Sequence, residues 1–292
     1  MFKGSYVALV TPMLEDGTID NASLQKLVEF HIENGTDGIV AVGTTGESAT
    51  LPMEEHIDVV KQITDYTAGA VPVLAGNGAN ATDEAIYLSK QMEHLPIAGF
   101  LSVVPYYNKP QQTGMIAHFN AIADATDLPL LLYNVPGRTV ADMKTETVVS
   151  LAKHQNIVGL KDATGNLARL HEERAALGKD FLLLSGDDAT GCSFMCQGGD
   201  GVISVTANIV PDKMATMCKL SLAGEFDKAK AVDDEIAGLH HDLFIEPNPV
   251  VPKWALYKMG LMSSPVLRLP MVQPELSTQN VIEQRLSKLG LI

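Results

Sequence analysis

The stretch LLLYNVPGRTVADMKTETVVSLAKHQNIVGL, residues 130–160, contains one complete unit of the predicted fold. It begins with the apolar run 130–133 and ends with a second apolar run, 157–160. Neither run alternates between apolar and polar residues, which is typical of strands covered on both faces, as in a parallel sheet or a closed barrel. A helix is expected between the two strands, because parallel neighbours need a crossover connection.

Eight runs of this kind occur at fairly even spacing along the chain. They lie at residues 6–10, 38–42, 71–75, 99–104, 130–133, 157–160, 181–184 and 201–205. Helical spacing follows the strands, as in residues 24–32 and from Met53 onward, with Pro52 at the first helical position. Eight strand and helix units within residues 1–224 favour an α/β fold, a closed (β/α)8 or TIM barrel, over a doubly wound sheet, which more often has about five to seven strands.

The pattern changes after this barrel region, because apolar residues then repeat at three- and four-residue steps and no further strand is predicted. Residues 1–224 are therefore expected to form the barrel, and residues 225–292 a small C-terminal domain of three helices. The segment EPNPVVP, residues 246–252, is expected to break the first of these helices. The other two are predicted near residues 253–259 and 277–289.

The composition excludes several classes of protein. The chain has 292 residues, of which 46% are hydrophobic and 19% charged, as in an ordinary globular protein. Its formal net charge of −14 and the lack of a basic cluster argue against binding to nucleic acid or to an anionic membrane surface. No apolar run reaches the roughly 18 to 20 residues that cross a bilayer, and neither a signal peptide nor an anchor is expected at the start.

The three cysteines, Cys192, Cys196 and Cys218, are an odd count in a long chain. This argues against a disulfide framework and for a reducing compartment, so a cytoplasmic protein is expected. Cys192 and Cys196 share one helical face, but no nearby His or further Cys completes a set of metal ligands. We expect Cys192 and Cys196 to be buried structural thiols.

Lys161 is the strongest candidate for a reactive group. In this architecture the active site lies at the carboxyl ends of the strands, and Lys161 directly follows the run 157–160. Burial lowers the pKa of a lysine and exposes the free amine, which attacks a carbonyl carbon to form a Schiff base. Alternatively, the Lys161 side chain bends out to solvent or pairs with Asp162.

Polar side chains also lie at the ends of two other predicted strands. Tyr133 is either a packing aromatic or a proton relay, with the hydroxyl groups of Thr44 and Tyr107 as its partners. Thr44 and Thr45 form either an ordinary tight turn or a site for a substrate carboxylate. Arg138 is either a solvated loop residue or a guanidinium that binds a carboxylate through two parallel hydrogen bonds.

Other motifs do not complete a recognised site. Asp187-Asp188 and His240-His241 lack a convincing third metal ligand in the sequence, so metal catalysis is not expected. The stretch GNGANA, residues 76–81, has alanine where a dinucleotide-binding motif requires its last glycine.

Together, four motifs resemble the signatures of the dihydrodipicolinate synthase family, which belongs to the pyruvate-dependent Schiff-base lyases and aldolases. They are GTTGE at residues 43–47, YYNKP at 106–110, YNVPGRT at 133–139 and GLKDATGN at 159–166. The resemblance runs from Phe2 to the final helix. It implies a carbon–oxygen lyase that condenses pyruvate with L-aspartate 4-semialdehyde to give 4-hydroxy-tetrahydrodipicolinate, the first committed step of diaminopimelate and lysine biosynthesis.

The resemblance also implies roles for individual residues. Lys161 forms the Schiff base with pyruvate, and Tyr133 passes protons in a relay with Thr44 and Tyr107. In the family, the counterpart of Tyr107 comes from the adjoining subunit, so a homodimer is the minimum working unit and a homotetramer is usual.

Further residues are assigned by the same resemblance to substrate binding. Thr45 and the backbone of Thr44 hold the pyruvate carboxylate, and Arg138 orients the semialdehyde. Gly186 and Ile203 contribute backbone around the pyruvate pocket. Neither a metal nor an organic cofactor is required.

Many bacterial members of the family are inhibited by L-lysine, which binds near the dimer interface. This implies an allosteric site formed by Ser48, Ala49, His56, Asn80, Glu84 and Tyr106. Met53 stands where strongly inhibited members commonly carry a histidine, so weaker inhibition is expected. In the alternative, Glu84 only stabilises the N-terminus of a helix.

Two other functions remain open at this point. An N-acetylneuraminate lyase or a keto-deoxy sugar acid aldolase on the same scaffold would retain Lys161 and Tyr133. A non-enzymatic alternative is a barrel that senses lysine or pyruvate without turnover.

Overall fold

A computed structural model describes residues 2–292 and contains eight parallel strands in a closed barrel, in chain order, with β1 paired to β8. The strands are β1 (Gly4–Ala8), β2 (Gly38–Ala41), β3 (Val73–Gly76), β4 (Gly99–Val103), β5 (Leu130–Asn134), β6 (Ile157–Asp162), β7 (Leu182–Ser185) and β8 (Gly201–Ser204). The predicted (β/α)8 barrel is confirmed.

Strand limits differ from the apolar runs where pairing continues into polar or small residues. β6 includes Lys161 and Asp162, because both pair with β5 and with β7. β1 begins at Gly4, because Gly4 and Ser5 pair with β8. A strand ends where its backbone loses a neighbour, and this limit need not coincide with the end of an apolar run.

Each strand is followed by one or more helices along the sequence. They are α1 (Asn21–Glu33), α2 (Met53–Thr67), α3 (Thr82–Met92), α4 (Gln112–Asp124), α5 (Pro136–Thr139), α6 (Thr145–Leu151), α7 (Leu167–Leu177), α8 (Asp188–Cys196) and α9 (Pro211–Leu222). Pro52 is the N-cap of α2, which begins at Met53. The prediction that Pro52 is the first helical residue is therefore wrong.

Three further helices complete the chain: α10 (Phe226–Asp242), α11 (Val250–Lys258) and α12 (Leu276–Lys288). The first of them ends at Asp242, before residues 246–252, and α11 begins at Val250, within that segment, with Pro252 in its first turn. Proline is tolerated there, since the first N–H groups of a helix have no intrahelical acceptor.

The buried apolar side chains form two clusters. The inner one fills the barrel and includes Tyr6, Leu131 and Ile203. The outer one lies between strands and helices and continues into the C-terminal helices through Ile236 and Trp254. The division into domains at residue 224 stays a prediction.

The three cysteines are free thiols; Cys192 and Cys218 are buried, whereas Cys196 is only half-buried, contrary to prediction. Among residues 2–292, no helix is long and apolar enough to cross a membrane.

Candidate active site

Lys161 and Tyr133 are register partners in β6 and β5. The Lys161 Nζ lies 4.2 Å from the centre of the Tyr133 ring, and only 5% of Lys161 is exposed. Asp162 is turned away from Lys161, because successive residues of a strand face opposite sides. Its carboxylate accepts a hydrogen bond from the Thr164 hydroxyl at 2.7 Å and lies 3.6 Å from the guanidinium of Arg169. Lys161 therefore neither reaches solvent nor pairs with Asp162.

The surroundings of Lys161 favour its neutral form. Burial lowers the pKa of Lys161 to about 7, the Asp188 carboxylate acts in the opposite direction, and the Arg138 guanidinium lowers the pKa further. A lysine with this pKa is partly an unprotonated amine at neutral pH, which is the form that attacks a carbonyl carbon.

The amine faces a cavity of about 150 Å³ at the carboxyl ends of the strands. Six residues predicted from the sequence line this cavity: Thr44, Thr45, Tyr133, Arg138, Lys161 and Gly186. The sequence reasoning assigned no role there to several other lining residues, among them Asp187, Val205, Phe244 and Asn248. The volume suits a small substrate such as a three-carbon acid.

Asn248 links the C-terminal region to the cavity. Its side-chain amide donates a hydrogen bond to the Thr45 hydroxyl at 2.9 Å, and its backbone carbonyl accepts one from Arg138 Nη2 at 3.3 Å. Asn248 lies in the EPNP stretch, and its position between two prolines is a sequence signal of a fixed orientation.

Tyr133 is buried beside Thr44 and Arg138. Burial raises the pKa of the Tyr133 phenol, whereas the Arg138 charge and a hydrogen bond with the Thr44 side chain lower it. The phenol therefore keeps its proton at neutral pH and can both donate and accept. Two of the hydroxyl groups predicted to form the relay lie together.

Gly186 provides the space that Lys161 occupies. A Cβ at this position would lie 2.6 Å from Lys161 Cε and 2.9 Å from Ala163 Cβ. Ile203 lies in the inner cluster of the barrel and does not line the cavity, whereas Val205 does.

Tyr107 is not part of this cavity in the single chain. Its side chain is 88% exposed, and its backbone has a φ of +75°, an uncommon conformation for a bulky residue. The residue is held away from its own active site.

Candidate residues for lysine binding lie beside a second cavity, of about 280 Å³. Ser48, Ala49 and Tyr106 line it, and Thr44 and Arg138 line both cavities. The two cavities therefore share walls.

Of the other candidates, Glu84 and Asn80 lie near Tyr106, whereas His56 lies beside Gly76. Burial and then the Glu84 carboxylate raise the pKa of Tyr106, and a backbone hydrogen bond from Asn80 lowers it. His56 is buried, its Nε2 is 2.7 Å from the Gly76 carbonyl, and burial lowers its pKa to about 4. Met53 is 37% exposed in the first turn of α2.

Within residues 2–292, no group of three or more His, Cys, Asp or Glu side chains is arranged to hold a metal ion. Asp188 and His240 are instead both bonded to Thr206.

Comparisons with known proteins agree with this geometry. The sequence profile described as the Dihydrodipicolinate synthetase family matches residues 1–289. The chain is 64% identical, over the full length of both proteins, to a 4-hydroxy-tetrahydrodipicolinate synthase from Pseudoalteromonas atlantica. It is 54% identical to the synthase of a Shewanella species, over 96% of this chain and 94% of that one.

Solved structures give the same result. The dihydrodipicolinate synthase of Acinetobacter baumannii in complex with pyruvate has a TM-score of 0.98 and 48% identity over all of both chains. The enzyme from Cyanidioschyzon merolae, with lysine bound, has a TM-score of 0.95 and 39% identity over 100% of this chain and 99% of that one. The chain therefore belongs to the dihydrodipicolinate synthetase family.

Proposed function

We infer that this chain is a lyase that condenses pyruvate with L-aspartate 4-semialdehyde to give 4-hydroxy-tetrahydrodipicolinate, a step of diaminopimelate and lysine biosynthesis. The observation that carries the inference is the buried Lys161 amine at the end of β6, with its pKa lowered to about 7, in a chain that is 64% identical to a named synthase.

Lys161 acts as the nucleophile. Its Nζ attacks C2 of pyruvate, and the carbonyl oxygen leaves as water once it has gained two protons, which gives an imine. Loss of a proton from C3 converts the imine to an enamine, and C3 then attacks the aldehyde carbon of the second substrate. Attack of the substrate amine on C2 releases Lys161 and closes the ring.

Two sites bind the substrate carboxylates. Thr45 and the backbone N–H of Thr44 hold the carboxylate of pyruvate, a role supported by their position in the wall of the cavity and by the hydrogen bond from Asn248 to Thr45. Arg138, at the rim, orients the semialdehyde, because its guanidinium suits a second carboxylate. Gly186 completes the pyruvate pocket beside Lys161, whereas Ile203 lies on β8 behind the lining residue Val205.

Tyr133 moves protons during imine formation, enamine formation and ring closure, with Thr44 as its neighbour. Tyr107 completes the relay from the partner subunit. Its 88% exposure and its left-handed backbone support this proposal, because its own chain leaves it no contact with the cavity. A homodimer is then the minimum active unit, and a homotetramer is the expected assembly.

L-lysine is the proposed inhibitor, and its site includes Ser48, Ala49, His56, Asn80, Glu84 and Tyr106. The Glu84 carboxylate suits an ammonium group, and its closeness to Tyr106 supports the grouping. The wall shared by the two cavities offers a physical connection to Thr44 and Arg138. The free thiols fit the proposal of a cytoplasmic location.

Borohydride trapping tests the function directly. Incubation with pyruvate and borohydride, followed by peptide mapping, should place a stable adduct on Lys161, and the Lys161→Arg variant should give none, because a guanidinium stays protonated. An adduct on another lysine would contradict the assignment. Faster cleavage of N-acetylneuraminate or a keto-deoxy sugar acid than synthesis of the heterocycle would favour a related aldolase, and pyruvate binding without turnover would favour a sensor.

A further inference from the structure

Asp188, Thr206 and His240 form a buried hydrogen-bonded chain behind the active site. The Asp188 Oδ2 accepts hydrogen bonds from the backbone N–H groups of Val205 and Thr206, each at 2.9 Å. The Thr206 hydroxyl lies 3.2 Å from the same oxygen and 2.9 Å from His240 Nδ1. His240 Nε2 lies 3.2 Å from the carboxylate of Asp233. No member of the chain is part of the chemistry proposed above.

The count of donors and acceptors assigns the protons. The Asp188 carboxylate oxygen can only accept, so its hydrogen bond with Thr206 uses the single hydroxyl proton of Thr206. Thr206 must then accept from His240, which requires a proton on Nδ1. The Asp233 carboxylate only accepts, which requires a proton on Nε2. All contacts are satisfied together only when His240 is an imidazolium.

The environment of His240 is consistent with a charged ring. Burial lowers the pKa of His240, but the hydrogen bond to Asp233 and the charges of Asp188, Asp233 and Asp187 outweigh it and raise the pKa above 6.5. Cys192 also lies near Asp233, but burial and that carboxylate raise the pKa of its thiol to about 12, so it stays neutral. His240 is only 4% exposed.

The hydrogen-bonded chain of Asp188, Thr206 and His240 acts on Lys161 through the charge of Asp188. Asp188 is 3% exposed, and its Oδ1 has no hydrogen-bond partner among the described residues. Burial opposes the ammonium form of Lys161, the negative charge of Asp188 stabilises it, and the charge of Arg138 opposes it. A cation next to Asp188 reduces this stabilisation.

We propose that His240 is a buried imidazolium that balances the charge of Asp188 and thereby keeps Lys161 as a free amine. His240 is then a positioning residue for the proposed reaction, since it acts through Asp188 and touches no substrate. The inference rests on the proposed role of Lys161 as the Schiff-base amine. It assigns a function to the His240 and Asp188 pair that is unrelated to metal binding.

The test is the pH profile of borohydride trapping with pyruvate. His240→Gln should move the midpoint upward by about 0.5 to 1 unit, which lowers the trapping rate at about pH 7 by roughly two- to fivefold. The rate on the alkaline plateau should not change, whereas general damage to the site would lower the plateau as well.

His241→Gln is the matched control, because the His241 side chain is 82% exposed and does not contact Thr206; its midpoint should equal that of the wild type. In the nitrogen NMR spectrum of the wild type, both ring nitrogens of His240 should carry protons at about pH 7. A neutral ring, or an unchanged midpoint in His240→Gln, overturns the proposal. A wild-type adduct away from Lys161 would instead contradict the proposed function, and the NMR result would still decide the charge of His240.

Discussion

Glu47 and Lys253, which are 206 residues apart in the sequence, form an ion pair of 2.6 Å with both side chains fully buried. The second carboxylate oxygen of Glu47 accepts the backbone N–H of Arg268 at 3.1 Å. Glu47 lies two residues after Thr45 and has a left-handed backbone with φ of +60°. The C-terminal region therefore holds the turn that lines the active-site cavity.

Breaking this pair should be strongly destabilising. Lys253→Met leaves the Glu47 carboxylate buried without its cation, which should cost about 3 to 5 kcal/mol of unfolding free energy in urea titrations. Asp65→Asn removes an exposed pair with Lys61 and should leave the urea midpoint unchanged. Adding Glu47→Gln to Lys253→Met should recover part of the loss, and a double variant as unstable as the sum of the single variants would contradict this explanation.

A methyl group at position 186 should displace the reactive amine. In Gly186→Ala, the new Cβ would lie 2.6 Å from Lys161 Cε, so we expect a loss of kcat of at least about tenfold with little change in stability. Gly114→Ala is the control, since its Cβ would meet its nearest neighbour, Pro110, at an ordinary 3.5 Å. Equal activity of the two variants would show that a Cβ next to Lys161 Cε does not limit kcat.

Arg138→Ala should weaken the binding of the semialdehyde more than that of pyruvate. Loss of a charge-assisted contact to the semialdehyde carboxylate should cost about 1.5 to 3 kcal/mol, expressed mainly in kcat/KM for that substrate. Arg138→Lys should recover only part of the loss, because an ammonium cannot form two parallel hydrogen bonds. An equal loss of kcat/KM for both substrates would argue against this role.

The trapping reaction should depend on pH through Lys161. The pKa of Lys161 is lowered from 10.5 to about 7, so the reactive amine is lost as the pH falls below that value. The rate of adduct formation should rise about tenfold from about pH 6 to about pH 8 and then level off. A midpoint near 10.5, as for an exposed lysine, would contradict the burial argument.

Lysine binding should depend on Glu84. Calorimetry should show weaker binding of L-lysine to Glu84→Ala and no change for Asp83→Ala, which removes an exposed acid from the same first turn of α3. Met53→His should bind more tightly, because an imidazole offers a hydrogen bond that a thioether does not. Competition with pyruvate, or unchanged binding to Glu84→Ala, would place lysine elsewhere.

The barrel could be predicted from the sequence, because eight uninterrupted apolar runs separated by helical spacing favour a closed barrel over a doubly wound sheet. The positions of Lys161, Tyr133, Thr44 and Arg138 around one cavity followed from the rule that strand ends meet at one face. Limits that depend on pairing, such as the extension of β6 through Lys161, were missed, because a backbone partner is not visible in the strand's own residues.

Only the tertiary structure decides the contacts of Asn248, those of Lys253, and the hydrogen bonds that link Asp188 to His240 through Thr206. Asn248 meets Thr45 across 203 residues, and Thr206 meets His240 across 34 residues. No periodic pattern in the sequence predicts either contact. A buried polar group requires a partner, but which partner it finds depends on how the closed barrel and the C-terminal helices pack against each other.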